Sequence, residues 1–186
     1  MRVIAGSARH LPLKTIAGNQ TRPTQDKVKE TLFNILQDDI EDCRFLDLFA
    51  GSGGVGIEAL SRGASHCAFC DKNRACTQVI RENLVFTKLS DRGEVSCADY
   101  RSFLKKIPEG MGFDIIFIDP PYHGGLEKEI FEELRESHGL KEDTLCIVEA
   151  DKHTDFSFLG DLGFEIRRIK EYKNNRHLFI VRKEDL

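Results

Sequence analysis

The sequence predicts an α/β fold in which a mainly parallel sheet of seven strands carries helices on both faces. Two observations support this prediction: apolar stretches of strand length alternate with stretches of helical periodicity, and the last two strand-like stretches follow one another with no helix between them. Strands joined through helices run parallel, because the right-handed crossover returns the chain to the same edge of the sheet. The 186 residues suffice for one hydrophobic core, so we expect a single domain over residues 1–186.

An N-terminal extension is predicted over residues 1–40, ahead of the core in residues 41–186. Within residues 2–16, small, apolar and basic residues alternate, which predicts a short pair of strands. Thr24 is then predicted to cap a helix that continues to about Leu36, because apolar residues recur there at helical spacing on one face.

The core is predicted from the alternation of strand and helix patterns. The predicted strands span residues 44–50, 66–70, 94–98, 113–119, 144–149, 164–170 and 177–181. A glycine-rich stretch at 51–56 opens a helix to about 62, and further helices are predicted over 73–87, 100–107 and 126–137. Ligands of parallel sheets bind where the strands end. We expect four acidic residues to line that rim, namely Asp47, Asp71, Asp99 and Asp119.

The stretch from Phe113 to Tyr122 combines a buried strand with an abrupt stop at Asp119-Pro-Pro-Tyr122. Each proline fixes its own φ and holds the preceding residue extended, so the Asp119 carboxylate and the Pro120 carbonyl form a rigid pair of acceptors beside the Tyr122 ring. Such acceptors suit an exocyclic amine on a planar base, whose lone pair is freed for attack when its N–H groups are bound. We predict that Asp119, Pro120, Pro121 and Tyr122 are catalytic. An isolated Asp-Pro-Pro-Tyr is also an ordinary turn.

The glycine-rich stretch matches G-x-G-x-x-G through Gly51, Gly53 and Gly56, and Asp71 follows about twenty residues later. A dinucleotide site has the same pattern, but Asp47 would repel a pyrophosphate. S-adenosylmethionine has no phosphate, and its sulfonium and ammonium groups favour a nearby carboxylate. The sequence therefore favours S-adenosylmethionine as the cofactor. Alternatively, the glycines serve only a tight turn, and Asp71 or Asp99 caps a helix.

Charge and cysteine content limit the other classes of function. The net charge is −4, yet the first thirty residues hold six basic residues against two acidic ones, which leaves room for a local basic patch. Cys67 and Cys70 form a C-x-x-C pair without the further ligands of a zinc site, so we expect buried thiols and no metal. The sequence has no apolar run long enough for a bilayer and no signal-peptide core, which predicts a cytoplasmic protein without a membrane partner.

The Asp-Pro-Pro-Tyr motif after a fourth strand resembles the (D/N)PP(Y/F) motif of amino-methyltransferases. Longer stretches, at residues 2–9, 22–34, 47–53 and 56–64, resemble the RsmD family. The resemblance implies the Rossmann-like fold of class I S-adenosylmethionine-dependent methyltransferases and a monomer. It also implies methylation of the exocyclic N2 amine of one guanine in 16S ribosomal RNA, within the small ribosomal subunit or its assembly intermediate.

The resemblance also implies roles for individual residues. In class I methyltransferases, the residues that match Asp47, Gly51 and Gly53 surround the methionine moiety, whereas the matches of Asp71 and Asp99 bind the ribose and the adenine. The predicted cofactor residues are Asp47, Phe49, Ala50, Gly51, Ser52, Gly53, Asp71, Lys72, Asp99 and Tyr100. The predicted substrate residues are Arg9, Arg22, Thr24 and Tyr122.

Three alternatives stay open at the level of sequence. Another amino-methyltransferase, acting on DNA adenine N6 or on protein glutamine, would share the motif. A nucleotide-binding module or oxidoreductase would share the glycine-rich stretch and bind NAD. A non-catalytic ribosome-assembly factor would bind the subunit without needing Asp119.

Overall fold

The computed structural model describes residues 1–16, 23–121 and 125–183, without the side chains of residues 23–25, and contains one seven-stranded sheet in the order β3-β2-β1-β4-β5-β7-β6. The strands are β1 Arg44–Asp47, β2 His66–Asp71, β3 Gly93–Cys97, β4 Phe113–Ile118, β5 Leu140–Asp151, β6 Phe164–Glu171 and β7 Asn175–Arg182. Strands β1 to β5 are parallel, whereas β7 is antiparallel to both β5 and β6. The predicted sheet of seven strands is confirmed.

Helices cover both faces of the sheet. They are α1 Pro23–Ile35, α2 Gly54–Ser61, α3 Arg74–Thr87, α4 Tyr100–Leu104 and α5 Glu127–Arg135, with a short 3-10 helix at Ser157–Leu159. Successive strand residues point to opposite faces, so Phe117 packs in a core with α1, α2 and α3, while Ile116 packs in a second core with α4 and α5. The two cores hold the sheet rigidly between them.

Several predicted boundaries are wrong. Helix α1 begins at Pro23, so Thr24 lies inside its first turn and is not the cap; proline is favoured at the first helical position, where its missing N–H needs no partner. Residues 2–16 form a single antiparallel bridge, Arg2 to Pro12, instead of a pair of strands. Strand β5 begins at Leu140, earlier than predicted, because Leu140 pairs with Phe113 across a register shift.

The sheet also differs from the prediction at β1, which ends at Asp47 instead of at residue 50. Residues beyond it still bond to neighbouring strands, since the Leu48 amide donates to the Phe117 carbonyl at 3.0 Å and the Ala50 amide to the Cys70 carbonyl at 3.0 Å. At the far side, β6 forms an edge of the sheet and changes register between Ile166 and Arg168.

The N-terminal segment is fastened to α2 through a buried carboxylate. Glu58 is fully buried and accepts hydrogen bonds from the amides of Ile4 at 2.8 Å and Ala5 at 3.0 Å. The Lys29 ammonium of α1 lies 3.2 Å from Glu58, and the Arg62 guanidinium lies 2.8 Å away. Burial lowers the pKa of Lys29. Glu58 therefore joins α1, α2 and the N-terminal segment.

The C-x-x-C pair is buried, as predicted, with Cys67 in the core packed by α1, α2 and α3 and Cys70 in the core packed by α4 and α5. All six cysteines are free, and Cys67 and Cys70 are fully buried. Burial raises the pKa of the Cys70 thiol to about 12, so this thiol stays protonated at neutral pH. Within the described parts of the chain, no group of three potential ligands is placed to hold a metal. No helix among them is both long and apolar enough to cross a bilayer.

Replacing Gly56 by Ala is expected to lower the free energy of unfolding by about 1–3 kcal/mol. An added Cβ would overlap the Phe69 ring and approach the Cys67 sulfur to 2.6 Å, and both side chains are fully buried. Urea unfolding measures the change. Gly160→Ala is the matched control, because Gly160 has φ −59° and its added Cβ would lie 3.6 Å from the Lys183 ammonium. Equal stability of the two variants would contradict this account.

Candidate active site

A cavity of about 680 Å³ opens at the carboxyl edge of the sheet, on the face covered by α1. Its floor comes from the ends of β1, β4 and β5 through Asp47, Asp119 and Glu149. The glycine-rich loop forms one wall, and the link between β6 and β7 forms another. Cavities of 300–1,000 Å³ are typical of sites for small molecules. The position is the one expected for ligands of parallel sheets.

The glycine-rich loop is held in shape by two carboxylates. Gly51 and Gly53 have φ of 54° and 79°, in the left-handed region that glycine adopts without strain. The Asp71 carboxylate accepts a hydrogen bond from the Gly51 amide at 2.9 Å, and the Asp47 carboxylate accepts one from the Gly56 amide at 3.0 Å. The loop is therefore preorganised against the cavity.

Asp47 is the most deeply buried acid of the cavity, with 2% of its surface exposed. Burial raises its pKa to about 7; the hydrogen bond from Gly56 works against that rise, and the charge of Asp71 adds to it. Near neutral pH, the ionised form of this carboxylate would be stabilised by a positively charged ligand in the cavity.

Asp119 follows β4 directly and lies partly buried at the cavity. Burial raises its pKa well above the usual range, and the charges of Glu149 and Asp47 raise it further. Pro120 is buried, which anchors the bend, whereas Pro121 is exposed. Tyr122, the fourth residue of the predicted motif, lies outside the described residues.

The other predicted cofactor residues divide into two groups. Those that line the cavity are Phe49, Ala50, Gly51 and Ser52, with Asp47. Gly53 lies at the N-terminus of α2, while Asp71, Lys72, Asp99 and Tyr100 lie at the ends of β2 and β3, away from the cavity lining.

Asp99 caps a helix, which is the alternative role that the sequence predicts for it. It is the N-cap of α4, accepting a hydrogen bond from the Arg101 amide at 3.0 Å. Asn73, and not Asp71, is the N-cap of α3. The Tyr100 ring packs on Phe49 with a centroid distance of 5.3 Å, which connects this edge of the sheet to the cavity wall.

The predicted substrate residues are only partly described. Arg9 is exposed on the N-terminal segment and does not line the cavity. Arg22 lies outside the described residues, and Thr24 belongs to α1 without a described side chain.

Among the lining residues that sequence reasoning missed, three are joined to one another: Glu149, Tyr172 and His177. The His177 ring nitrogen Nε2 lies 3.1 Å from Glu149 Oε2, and Nδ1 lies 3.2 Å from the Tyr172 hydroxyl. One signal was present, because Glu149 follows a run of apolar residues in the sequence, as Asp119 does. The pairing with His177 depends on strands that are distant in sequence.

The sheet order, the glycine-rich loop and the acidic cavity together define a class I methyltransferase fold. The solved structure of yhhF, a candidate methyltransferase from Escherichia coli, has a TM-score of 0.84 and 31% sequence identity, and the match covers 100% of this chain and 99% of that one. The predicted fold class is confirmed.

Sequence comparison identifies the family. A Bacillus subtilis protein named as a candidate rRNA methyltransferase, YlbH, is 42% identical over 164 residues, covering 87% of this chain and 89% of the relative. The ribosomal RNA small subunit methyltransferase D of Haemophilus influenzae is 39% identical over 153 residues, covering 82% and 79%. The family model of conserved hypothetical protein 95 matches residues 1–181. The chain belongs to this family, the RsmD family, as its sequence predicts.

Proposed function

We propose that this protein transfers a methyl group from S-adenosylmethionine to the N2 amine of a guanine in 16S ribosomal RNA of the small subunit or its assembly intermediate. The observation that carries the proposal is the position of Asp119, which shares one cavity with the glycine-rich loop. The names of relatives that are 39–42% identical support RNA as the substrate. The guanine N2 amine is the substrate group that the family resemblance implies.

The cavity fits a cationic cofactor better than an anionic one. Four carboxylates line it, against the two ammonium groups of Lys29 and Lys173, and Lys29 is already paired with Glu58. Asp47 lies under the glycine-rich loop, where its carboxylate accepts a hydrogen bond from the Gly56 amide. A dinucleotide bound at this loop would place its pyrophosphate near Asp47, and the two negative charges would repel. Residues 49–53 and Asp47 would hold the methionine moiety, with Asp71 and Asp99 toward the ribose and adenine. When bound, S-adenosylmethionine supplies an electrophilic methyl group on a positively charged sulfur.

The catalytic residues would bind and orient the amine. Asp119 and the Pro120 carbonyl accept the N2 hydrogens, and Tyr122 stacks on the base in this proposal. Guanine N2 lies on the base-pairing edge, so the base must leave its stack before the amine reaches Asp119. Most of the rate then comes from alignment in the cavity.

Basic residues of the N-terminal segment would position the RNA by its phosphates. Arg9 is exposed there and available for such a contact. Arg22 and Thr24 are proposed as its partners on the strength of the family resemblance alone. We propose a monomer that acts in the cytoplasm as one methyltransferase domain.

Transfer of labelled methyl groups tests the function. Labelled S-adenosylmethionine is incubated with unmodified small subunits, with their naked RNA and with DNA, and the nucleosides are then separated. Label in N2-methylguanosine is the expected result. Label in N6-methyladenine of DNA would identify the other amino-methyltransferase, and an absence of label with intact subunit binding would favour the assembly factor. Calorimetric binding of NAD instead of S-adenosylmethionine would indicate an oxidoreductase.

The affinity for S-adenosylmethionine is expected to increase as the pH rises from 5 to 7 and to level off above that. The raised pKa of Asp47, about 7, means that below pH 7 the carboxyl must lose a proton before it meets the cationic ligand. The dependence approaches tenfold in Kd per pH unit, about 1.4 kcal/mol. Calorimetry on the wild type and on Asp47→Asn measures it, and the comparison cancels the titration of the ligand itself.

A dependence that is equally steep in Asp47→Asn would contradict this role. The same shift has the opposite consequence for the protein without ligand. Because the folded state binds the proton more tightly than the unfolded state, the contribution of Asp47 to stability falls as the pH rises between about 4 and 7.

A further inference from the structure

Three polar residues lie in one row across neighbouring strands beside the cavity. Ile118 of β4 pairs with Val148 of β5, which places Asp119 beside Glu149, and Glu149 pairs in turn with His177 of β7. Side chains of residues opposite one another on neighbouring strands share a face of the sheet and lie about 4.5–5.5 Å apart at Cβ. Asp119, Glu149 and His177 therefore form a contiguous row that lines the cavity.

Glu149 is held by donors on both of its oxygens. Asn175 donates from Nδ2 to Oε1, and the His177 ring contacts Oε2 at 3.1 Å. Burial and the charge of Glu149 raise the pKa of Tyr172 to about 12, and its hydroxyl lies 3.2 Å from His177 Nδ1. A proton on His177 Nε2 would be donated to Glu149, with Nδ1 facing the Tyr172 hydroxyl. This arrangement stabilises the ionised form of Glu149.

An ionised Glu149 has a direct effect on its neighbour. Two carboxylates in adjacent positions resist being ionised together, so the fixed charge of Glu149 makes Asp119 bind a proton more tightly. A carboxylate of ordinary acidity is a weak acceptor for an amine proton, whereas one with a pKa nearer the working pH is a better one. The row provides a structural reason for Asp119 to act as a base.

We propose that Glu149, supported by Asn175, His177 and Tyr172, is a positioning residue that makes Asp119 the proton acceptor of the methyl transfer. The inference rests on the proposed function. The N2 lone pair forms the N–CH3 bond as the S–CH3 bond breaks, the electron pair of that bond stays on the sulfur, and one N2 proton moves to the Asp119 carboxylate. The proton then leaves Asp119 for water.

Other charged or titratable groups also face this row, from every element around the cavity. They are Lys29 from α1, Asp47 from β1, Asp151 from β5, and Tyr172 and Lys173 from the link between β6 and β7. Lys29 is neutralised by Glu58, and Asp47 adds to the effect of Glu149 on Asp119. A variant of Glu149 alone therefore isolates its contribution.

The test is the pH profile of single-turnover methyl transfer to unmodified small subunits. The wild-type rate is expected to rise with pH as Asp119 ionises. Glu149→Gln keeps the shape of the side chain and removes its charge, so the rise is expected at a pH about one to two units lower, with a lower plateau. His177→Phe is expected to lower the pH of this rise as well. Glu149 loses a hydrogen-bond donor in this variant and is protonated more readily, so its charge acts less on Asp119.

Glu171→Gln is the matched control, because Glu171 is an exposed carboxylate on β6 and does not line the cavity. A lower rate without any displacement of the profile, or a wild-type rate that does not rise with pH, overturns the inference. Weaker binding of S-adenosylmethionine to Glu149→Gln, with an unmoved profile, overturns it in favour of a cofactor contact. A wild type that forms no N2-methylguanosine refutes the proposed function itself, whatever the variants show.

Discussion

Replacing Asp119 by Ala is expected to lower the single-turnover rate of methyl transfer by about 10²–10⁴-fold, the range for loss of a proton-transfer group. The side chain lies at the cavity beside Glu149 and Asp47, whose charges raise its pKa, and it is the carboxylate that directly precedes the Pro120-Pro121 bend. Its loss removes the acceptor for the amine. Transfer of label into N2-methylguanosine measures the rate.

The affinity for S-adenosylmethionine distinguishes loss of chemistry from loss of the site. The affinity of Asp119→Ala for S-adenosylmethionine is expected to stay within about threefold of the wild type. Such a change in binding free energy, below 1 kcal/mol, indicates that Asp119 is outside the main contacts to the cofactor. Asp161→Ala is the control, because Asp161 is exposed and does not line the cavity. Turnover of Asp119→Ala at the wild-type rate would show that another group accepts the proton.

Replacing Glu58 by Ala is expected to lower the free energy of unfolding by about 3–5 kcal/mol, as when one partner of a buried ion pair is removed. Four donors lose their acceptor: the amides of Ile4 and Ala5 and the cationic groups of Lys29 and Arg62. The Lys29 side chain is only 6% exposed, so its charge would remain buried without a carboxylate. Urea unfolding measures the loss.

Glu132→Ala is the matched control for this experiment. Glu132 also lies in a helix and faces a lysine, but its side chain is 48% exposed and lies 3.9 Å from Lys128, so a loss of about 0–1 kcal/mol is expected. Hydrogen exchange should locate the larger effect, with the amides of Ile4 and Ala5 losing protection in Glu58→Ala. A loss below 1 kcal/mol would mean that water or a rearranged side chain replaces the carboxylate.

The elements that sequence predicts well are those whose signals are local. Apolar runs ending in an acid gave β2 and β4 nearly to the residue, because burial on both faces makes such strands continuous. The glycine spacing predicted the loop of Gly51 and Gly53, because a positive φ at these positions is adopted without strain by glycine alone. Asp47 and Asp119 meet at the cavity because parallel neighbours end at one edge.

What sequence could not provide depends on contacts between distant segments. The Glu149–His177 contact follows from the antiparallel register of β5 and β7, which no local pattern specifies. Glu58 appears in sequence as a charged residue within an apolar helix, yet its partner Lys29 comes from another helix. Sequence alone could not decide the role of Asp99, because a helix N-cap and a ligand contact both favour an acidic residue directly after a strand.

The outer strand β6 affects how the protein behaves at high concentration. A free sheet edge invites another chain to extend the sheet, and Ile166 and Ile169 on this strand are exposed. The change of register between Ile166 and Arg168 interrupts the repeat that an incoming strand would need, and Arg167 and Lys170 place positive charges beside it. The interrupted register and the charged side chains of this strand therefore disfavour pairing between identical edges.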